Sequence, residues 1–509
     1  MEQKNIRIPV YSNETVFCDS AEQPIDVDFT LPDYCPDIQK ILKCRAVSRI
    51  SSKGINGGTV TVDGSVTVTV IYCDGSGALN SYEYQYPFSK SFESTGEMSA
   101  VALSAHSKCE YINCRAVTGR KIDIHGAVGI YIKVTRRKCD EVISDVDDKS
   151  IELLRGVAKA TVPMGCADKY VILDEEIELS GGQGDIRSLI RYDASAAITD
   201  CKLLQNKASV KGELIITMLY CPKSGAAQTV RSTLPFSQLI EIEGANDTCS
   251  CEAKANVCYL EIKPRTNANG SNRSFSLNAK ILVSCECYCD NDIDVIFDAY
   301  SKKYQADIVR DNVCFNKMVQ NINDTFNCKK NIEFSEGTLC AVADLWCEVM
   351  THNAKFVEGN LCINGTVTAY IIAYDSENIP YFYEKPIDFS YKCACDAEGE
   401  NLTCKPKINV NSSSYTITGG NMELRVDLLI SAAIYECKKM PLIVDVKINE
   451  KETLTPKNSF PLTIYFASAG ESIWDIARRY FADVDELCTL NGISGSKLEA
   501  DTAILVPIK

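Results

Sequence analysis

An internal repeat constrains the fold of this chain more than any other feature of its sequence. Gly64, Gly212 and Gly365 each begin a similar string, which reads GSVTVTVIYCDGSG, GELIITMLYCPKSG and GTVTAYIIAYDSEN. The offsets are 148 and 153 residues, and a Phe-Ser pair follows each glycine at nearly the same distance. Because each period has the length of a whole domain, the repeat predicts three tandem domains rather than a solenoid of short repeats.

A second element recurs upstream of the first two glycines only. Asp37 begins DIQKIL and Asp185 begins DIRSLI, at the same distance from the glycine in each copy. The third copy is weaker there and reads TLCAVADLW from Thr338. We therefore expect three related units, of which the third has diverged furthest.

Within each unit, apolar residues alternate with polar ones, and turn signals such as CDGSG and SENIP separate the runs. A period of two is typical of strands with one buried face. The sequence predicts a mainly β fold in which three tandem β-rich units, sandwich-like or barrel-like, span 14–150, 164–303 and 312–450. We expect the repeated glycine to mark a hairpin or a β-bulge.

The pattern changes over 461–509, where a separate small α+β domain with the order βααβ is predicted. Ser472 is a plausible N-cap for a helix whose apolar positions recur at helical spacing. Asp483 is placed to cap a second short helix, which Asn491 and Gly492 end.

This segment resembles a LysM domain. The matching residues are Tyr465, Gly470, Glu471, Ser472, Ile473, Trp474, Ile476, Ala477, Tyr480, Leu487, Asn491, Leu505, Val506 and Pro507. LysM domains usually bind N-acetylglucosamine-containing glycans. The resemblance implies a groove between the loops 469–472 and 491–494. The partner- or glycan-binding residues expected from it are Gly470, Glu471, Ser472, Ile473, Trp474, Asn491, Gly492 and Ile493. An exposed apolar patch on Trp474, Tyr465 or Ile473 would anchor a protein partner instead.

The string LPDYCPDIQKILK, the three β-rich repeats and the terminal LysM domain together resemble the SPOCS-domain proteins of endospore-forming bacteria. The resemblance implies a non-enzymatic scaffold for endospore coat assembly in the mother-cell cytoplasm. The scaffold would tether the coat basement layer at the forespore surface, with its LysM domain bound to a spore coat morphogenetic ATPase. The alternative is a peptidoglycan-binding protein of the cell wall or spore cortex.

Charge and hydropathy narrow the classes of partner. The net charge is −15, with 68 acidic against 53 basic residues, which argues against nucleic-acid binding. No apolar run reaches the roughly 18 residues of a membrane span. The start MEQKNIRIPV lacks the basic and apolar regions of a secretory signal, so we expect a cytoplasmic protein.

The sequence offers 26 Cys but only 3 His, and it contains no phosphate-binding loop and no zinc-protease motif. We therefore predict no catalytic residues, no cofactor and no resident metal. In a cytosolic chain most thiols are expected to be free and to pack as small apolar groups. An alternative stays open, because Cys285, Cys287 and Cys289 would lie on one strand face and could present three thiolates together.

Overall fold

The computed structural model describes residues 5–94, 101–266, 272–335, 339–395, 401–454 and 462–507. Unit 1 contains β1 (Asn5–Thr30), β2 (Lys40–Asn56), β3 (Thr59–Cys73), β4 (Leu79–Glu93), β5 (Val101–Ala116) and β6 (Lys121–Val146). Unit 2 contains β7 (Ile151–Glu178), β8 (Ile186–Leu204), β9 (Lys207–Pro222), β10 (Gln228–Glu241), β11 (Ser250–Arg265) and β12 (Ser274–Ser301). Unit 3 contains β13 (Tyr304–Ile332), β14 (Ala341–Val357), β15 (Asn360–Tyr374), β16 (Pro380–Ala394), β17 (Leu402–Cys404), β18 (Lys407–Thr418) and β19 (Asn421–Thr453).

Each unit folds into two antiparallel sheets with equivalent strand orders. In unit 1 the sheets are β1-β6-β5 and β2-β3-β4, and the same two orders return in unit 2 and, with the short extra strand β17, in unit 3. The alternating apolar residues of both sheets face inward and form one buried core per unit. The mainly β prediction is confirmed, and the units are two-sheet sandwiches.

The repeated glycine lies in the middle of a strand, where the repeated phenylalanine covers it. Gly212 of β9 pairs with Phe236 of β10, and the same pairing joins the equivalent residues of the other two units. A Cβ at Gly212 would lie 2.4 Å from Cζ of Phe236 and 2.6 Å from the backbone oxygen of Ala197. The neighbouring strand β8 bulges between Ile198 and Asp200, so the predicted association with a bulge is correct.

The recurring aspartate of units 1 and 2 forms an ion pair with an arginine that precedes the last strand of its unit. Arg120 Nη1 lies 2.7 Å from Asp37 Oδ1, and Arg273 Nη1 lies 3.7 Å from Asp185 Oδ1. In unit 3 the residue before β19 is Gly420. The third unit therefore lacks this arginine as well as the aspartate, which explains its weaker repeat.

The three units close into a ring. Strand β4 of unit 1 contacts β8 of unit 2, β10 contacts β14 of unit 3, and β16 returns to contact β2. A bulge near the start of each of β2, β8 and β14 turns one residue toward a core that all three units share. These residues are Leu42, Ile190 and Ala343. The long strands of the other sheets meet in further shared clusters. The repeat thus produces an approximate threefold arrangement within one chain.

Ionic contacts of buried and partly buried arginines cross the centre of this ring. Arg191 of unit 2 is 3% exposed, and its Nε lies 2.7 Å from Oδ2 of the fully buried Asp344 side chain of unit 3. The guanidinium of Arg191 also lies 4.4 Å from the ring centre of Trp346. Arg45 of unit 1 reaches both other units, because its side chain contacts Asp193 and a glutamate of β14.

The C-terminal domain has the predicted βααβ order, with β20 (Leu462–Ala467), α1 (Ile473–Tyr480), α2 (Val484–Asn491) and β21 (Thr502–Pro507). Asp483 caps α2 through its side chain, which accepts a hydrogen bond from Glu486 N, and Gly492 ends the helix in the left-handed region at φ 63°. Ser472 occupies the predicted N-cap position of α1 in an extended conformation, but its side chain forms no capping hydrogen bond. Over the described ranges, neither helix has the length and apolar character that a membrane crossing requires.

Most cysteines are free, as predicted. Disulfides join Cys249 to Cys289 and Cys314 to Cys437. Cys289 is therefore not available as a thiolate beside Cys285 and Cys287, which remain free and buried.

Candidate functional site

The first predicted loop of the LysM domain is held by bonds within the domain. Gly470 adopts φ 83°, and its N–H donates to Leu498 O at 2.7 Å. Glu471 accepts a 2.6 Å hydrogen bond from the Tyr465 hydroxyl and another from the Ser468 N–H. The Tyr465 hydrogen bond is the main reason that the pKa of Glu471 is lowered. Ser472 forms an isolated antiparallel β-bridge with Lys497, so backbone pairing joins this loop to the segment that follows the second loop.

Residues of the second predicted loop also form hydrogen bonds within the domain. The Asn491 side-chain N–H groups donate to Leu487 O and Leu505 O, both at 2.8 Å, and its oxygen accepts from Leu505 N at 2.7 Å. Gly492 is the C-cap of α2, and the Ile493 N–H donates to Cys488 O. Asn491 therefore ties α2 to β21, and the family asparagine is explained by the fold of the domain.

Two of the predicted binding residues face away from solvent. Ile473 is 2% exposed and belongs to the core of the domain. Trp474 is 9% exposed because it packs against unit 2, where its ring meets Tyr300 edge-on at a centroid distance of 4.9 Å. The expectation of an exposed patch on these two residues is not met, since the tryptophan instead connects the LysM domain to the ring.

Asp298 of unit 2 is the centre of this connection. Its Oδ2 accepts hydrogen bonds from Trp474 Nε1 at 2.9 Å and from Arg478 Nη1 at 2.7 Å. Its Oδ1 is bonded by Arg310 of unit 3. One largely buried carboxylate thus holds side chains from the LysM domain and from another unit of the ring.

A second group of bonds lies beside the first. The Tyr300 hydroxyl donates to Ala482 O at 2.6 Å, and Lys302 Nζ lies 2.6 Å from both Asp483 and Glu152. The hydrogen bond from Lys302 is the largest cause of the lowered pKa of Asp483. The same aspartate caps α2, so docking onto unit 2 and helix capping depend on one side chain.

Replacing Asp298 by alanine is expected to loosen the docked LysM domain. The Trp474 N–H and the arginines lose their shared acceptor, but the arginines are half exposed and water can replace part of the loss. We expect the contact to weaken by about 1–3 kcal/mol. Hydrogen exchange of the α1 peptide should then become faster in Asp298→Ala, whereas the exposed Asp485→Ala control should exchange like the parent. Unchanged exchange in Asp298→Ala would contradict this role.

An exposed apolar stripe lies on the free side of the LysM domain. Leu462, Ile464 and Phe466 alternate along β20 and are 47%, 58% and 81% exposed. Among the described residues, β20 pairs only with β21, so its outer edge also remains open. The sequence-based prediction missed this surface, because LTIYFA carries apolar residues on both faces of the strand. We call these three residues the β20 stripe.

A large cavity of about 1350 Å³ lies where the three units meet. Its wall includes charged residues of both signs, among them Arg49, Asp193 and Glu348, and the thiols Cys201 and Cys251.

The three histidines lie in separate surroundings. His106 stacks on Tyr131, His125 lies within 3.1 Å of two aspartates, and His352 contacts a backbone oxygen. The structure does not bring them together.

Comparison with protein-family models gives two matches. The model described as "SipL, SPOCS domain" matches residues 37–117 and 185–264, which cover β2–β5 of unit 1 and β8–β11 of unit 2. The LysM domain model matches residues 468–507. No curated protein and no solved structure matches the chain. Both matching families are non-catalytic binding or structural domains, and together they fit a sporulation protein related to the spore coat. These matches support a SipL-like protein that carries SPOCS domains and a C-terminal LysM domain.

Proposed function

We propose that this protein is a non-enzymatic scaffold for endospore coat assembly. It acts in the mother-cell cytoplasm and tethers the coat basement layer at the forespore surface. Its LysM domain binds a protein partner, a spore coat morphogenetic ATPase, and the ring of three units carries that domain. The observation that supports this most strongly is the β20 stripe, because apolar side chains exposed in a row are typical of protein-binding surfaces.

The position of the stripe favours a protein partner. The opposite side of the domain is occupied by the contacts of Trp474, Arg478 and Asp483 with the ring. The stripe lies on an edge strand, where a partner can add main-chain hydrogen bonds as well as apolar contacts. The LysM domain can therefore remain docked on unit 2 while it binds a second protein.

The geometry of the two loops gives less support to the glycan-binding alternative. Glu471 and Asn491, the polar side chains expected to contact a sugar, already form hydrogen bonds within the domain. A glycan would have to compete with these bonds. The LysM family itself remains the reason to test this alternative.

A paired binding assay on the full chain separates the two functions. Immobilised protein is incubated with the purified coat morphogenetic ATPase of the same bacterium, and free protein is sedimented with purified peptidoglycan sacculi. We expect the immobilised protein to retain the ATPase and the free protein to stay in the supernatant. Sedimentation with sacculi, together with no retained ATPase, would replace the scaffold by the glycan-binding function.

A further inference from the structure

Three cysteines of unit 2 converge at one place in the fold, and a fourth lies beside them. Cys201 lies on β8, Cys251 on β11, and Cys285 and Cys287 on β12. The Sγ atoms of Cys201 and Cys251 are 2.9 Å apart, and those of Cys251 and Cys285 are 2.7 Å apart. The Sγ atoms of these three residues all lie within 4.8 Å of one another. Cys287 pairs with Cys251 in the strand register and shares the inner face of β12 with Cys285.

The sulfur distances differ from those of ordinary packing. Non-bonded heavy atoms pack at about 3.5–4.0 Å, and a disulfide bond is about 2.05 Å long. The two separations lie between these values, so sulfurs from three strands converge on one point.

Unit 1 shows that the fold does not require thiols here. In unit 1, Lys53 stands at the position of Cys201 and pairs with Val62. Leu103 stands at the position of Cys251 and pairs with Val134. Ile132 and Val134 occupy the inner face of β6 that corresponds to Cys285 and Cys287. Unit 1 builds the same two sheets with one lysine and three aliphatic residues at these positions, so the fold does not require the four thiols of unit 2.

We propose that Cys201, Cys251, Cys285 and Cys287 form a thiolate site for a soft divalent metal ion of the zinc class. Four sulfur ligands are a standard structural zinc set, and the ion would join the two sheets of unit 2 through β8, β11 and β12. A tetrahedral zinc with Zn–S bonds of about 2.3 Å holds its sulfurs about 3.8 Å apart, so the thiols must separate by about 1 Å. Binding displaces the thiol protons into solvent, so the apparent affinity rises with pH.

An entry route is present. Cys201 and Cys251 are partly exposed and lie in the wall of the central cavity, whereas Cys285 and Cys287 are buried behind them. An ion can therefore reach the first two sulfurs from the cavity and complete its coordination with the second two. With four protein ligands the ion would have no open coordination position, which is typical of a structural site and not of a catalytic one.

The test uses the full chain, purified with a phosphine reductant and checked by thiol titration. Metal content is measured by mass spectrometry, and the metal-free protein is titrated with Co²⁺ as a spectroscopic probe. We expect about one zinc per chain and the intense absorption of tetrahedral cobalt with thiolate charge-transfer bands. The Cys201→Ser/Cys251→Ser variant should lose both signals, and the matched unit 2 control Cys166→Ser/Cys258→Ser should keep them.

Folding of each variant is checked by circular dichroism. If the double variant does not fold, Cys201→Ser alone still decides, because its cobalt charge-transfer band should fall by about one quarter as one of four thiolates is lost. Fully reduced parent protein that binds neither zinc nor cobalt would overturn the proposal. A folded Cys201→Ser/Cys251→Ser variant that binds cobalt like the parent would overturn it as well.

Discussion

Replacing Asp344 by alanine is expected to destabilise the ring by about 3–5 kcal/mol, because this change leaves a buried arginine without its counter-charge. Arg191 and Asp344 are both almost completely buried where units 2 and 3 meet. Asp344 Oδ1 also lies 3.2 Å from the Thr229 hydroxyl of unit 2, which has a second acceptor in Ala343 O at 2.8 Å. The alanine variant removes the acceptor of Arg191 and leaves a cavity.

The remaining contacts of Arg191 cannot compensate for this loss. Its guanidinium stacks on Trp346, but its two terminal nitrogens have no hydrogen-bond partner among the described residues. The arginine therefore relies on Asp344 for its directly bonded counter-charge, while Asp193 supplies a more distant attraction. The double variant Arg191→Met/Asp344→Leu should recover most of the stability, since apolar side chains of similar size can replace a buried ion pair at little cost.

Urea denaturation of the full chain, followed by circular dichroism, measures this effect. The control is Asp388→Ala in the same unit, where the aspartate is exposed on β16 and bonds to Thr366. The control should stay within about 0.5 kcal/mol of the parent. A loss in Asp344→Ala as small as that of the control would show that the ring does not depend on this pair.

The sandwich fold of each unit was predictable because its physical cause is local. Alternation of apolar and polar residues determines which face of a strand is buried, and the repeated spacing shows that the pattern occurs three times. The ring was not predictable in this way. It depends on bulge residues such as Leu42 and Ile190, which depart from strict alternation and face the shared core instead of the core of their own unit.

The LysM domain shows the same division. Its helix caps and core follow from short-range signals at Asp483 and Gly492, and these predictions are confirmed. The burial of Trp474 depends on Asp298 and Tyr300, which are distant in the sequence and carry no pattern that points to it. The exposed face of β20 was also ambiguous, because Tyr465 and Ala467 make the opposite face apolar too. Neither the burial of Trp474 nor the exposed face of β20 could be assigned before the domain was placed on unit 2.

The β20 stripe is the most informative place to test the proposed function, because the proposal rests on this surface. Ile464→Arg and Phe466→Arg each place a charge on an exposed apolar position, so the domain should still fold. If the stripe is the centre of a protein interface, each change should cost at least about 2 kcal/mol of binding free energy, or about 30-fold in Kd. The matched control is Ile172→Arg on β7, where the isoleucine is 69% exposed but lies on the ring.

The most direct measurement is the Kd of the full chain for the purified coat morphogenetic ATPase, determined by titration calorimetry for the parent and the three variants. The scaffold account predicts that Ile464→Arg and Phe466→Arg weaken binding by at least about 30-fold, while Ile172→Arg binds like the parent. Parent-like affinity in both stripe variants, or no binding by the parent itself, would contradict it.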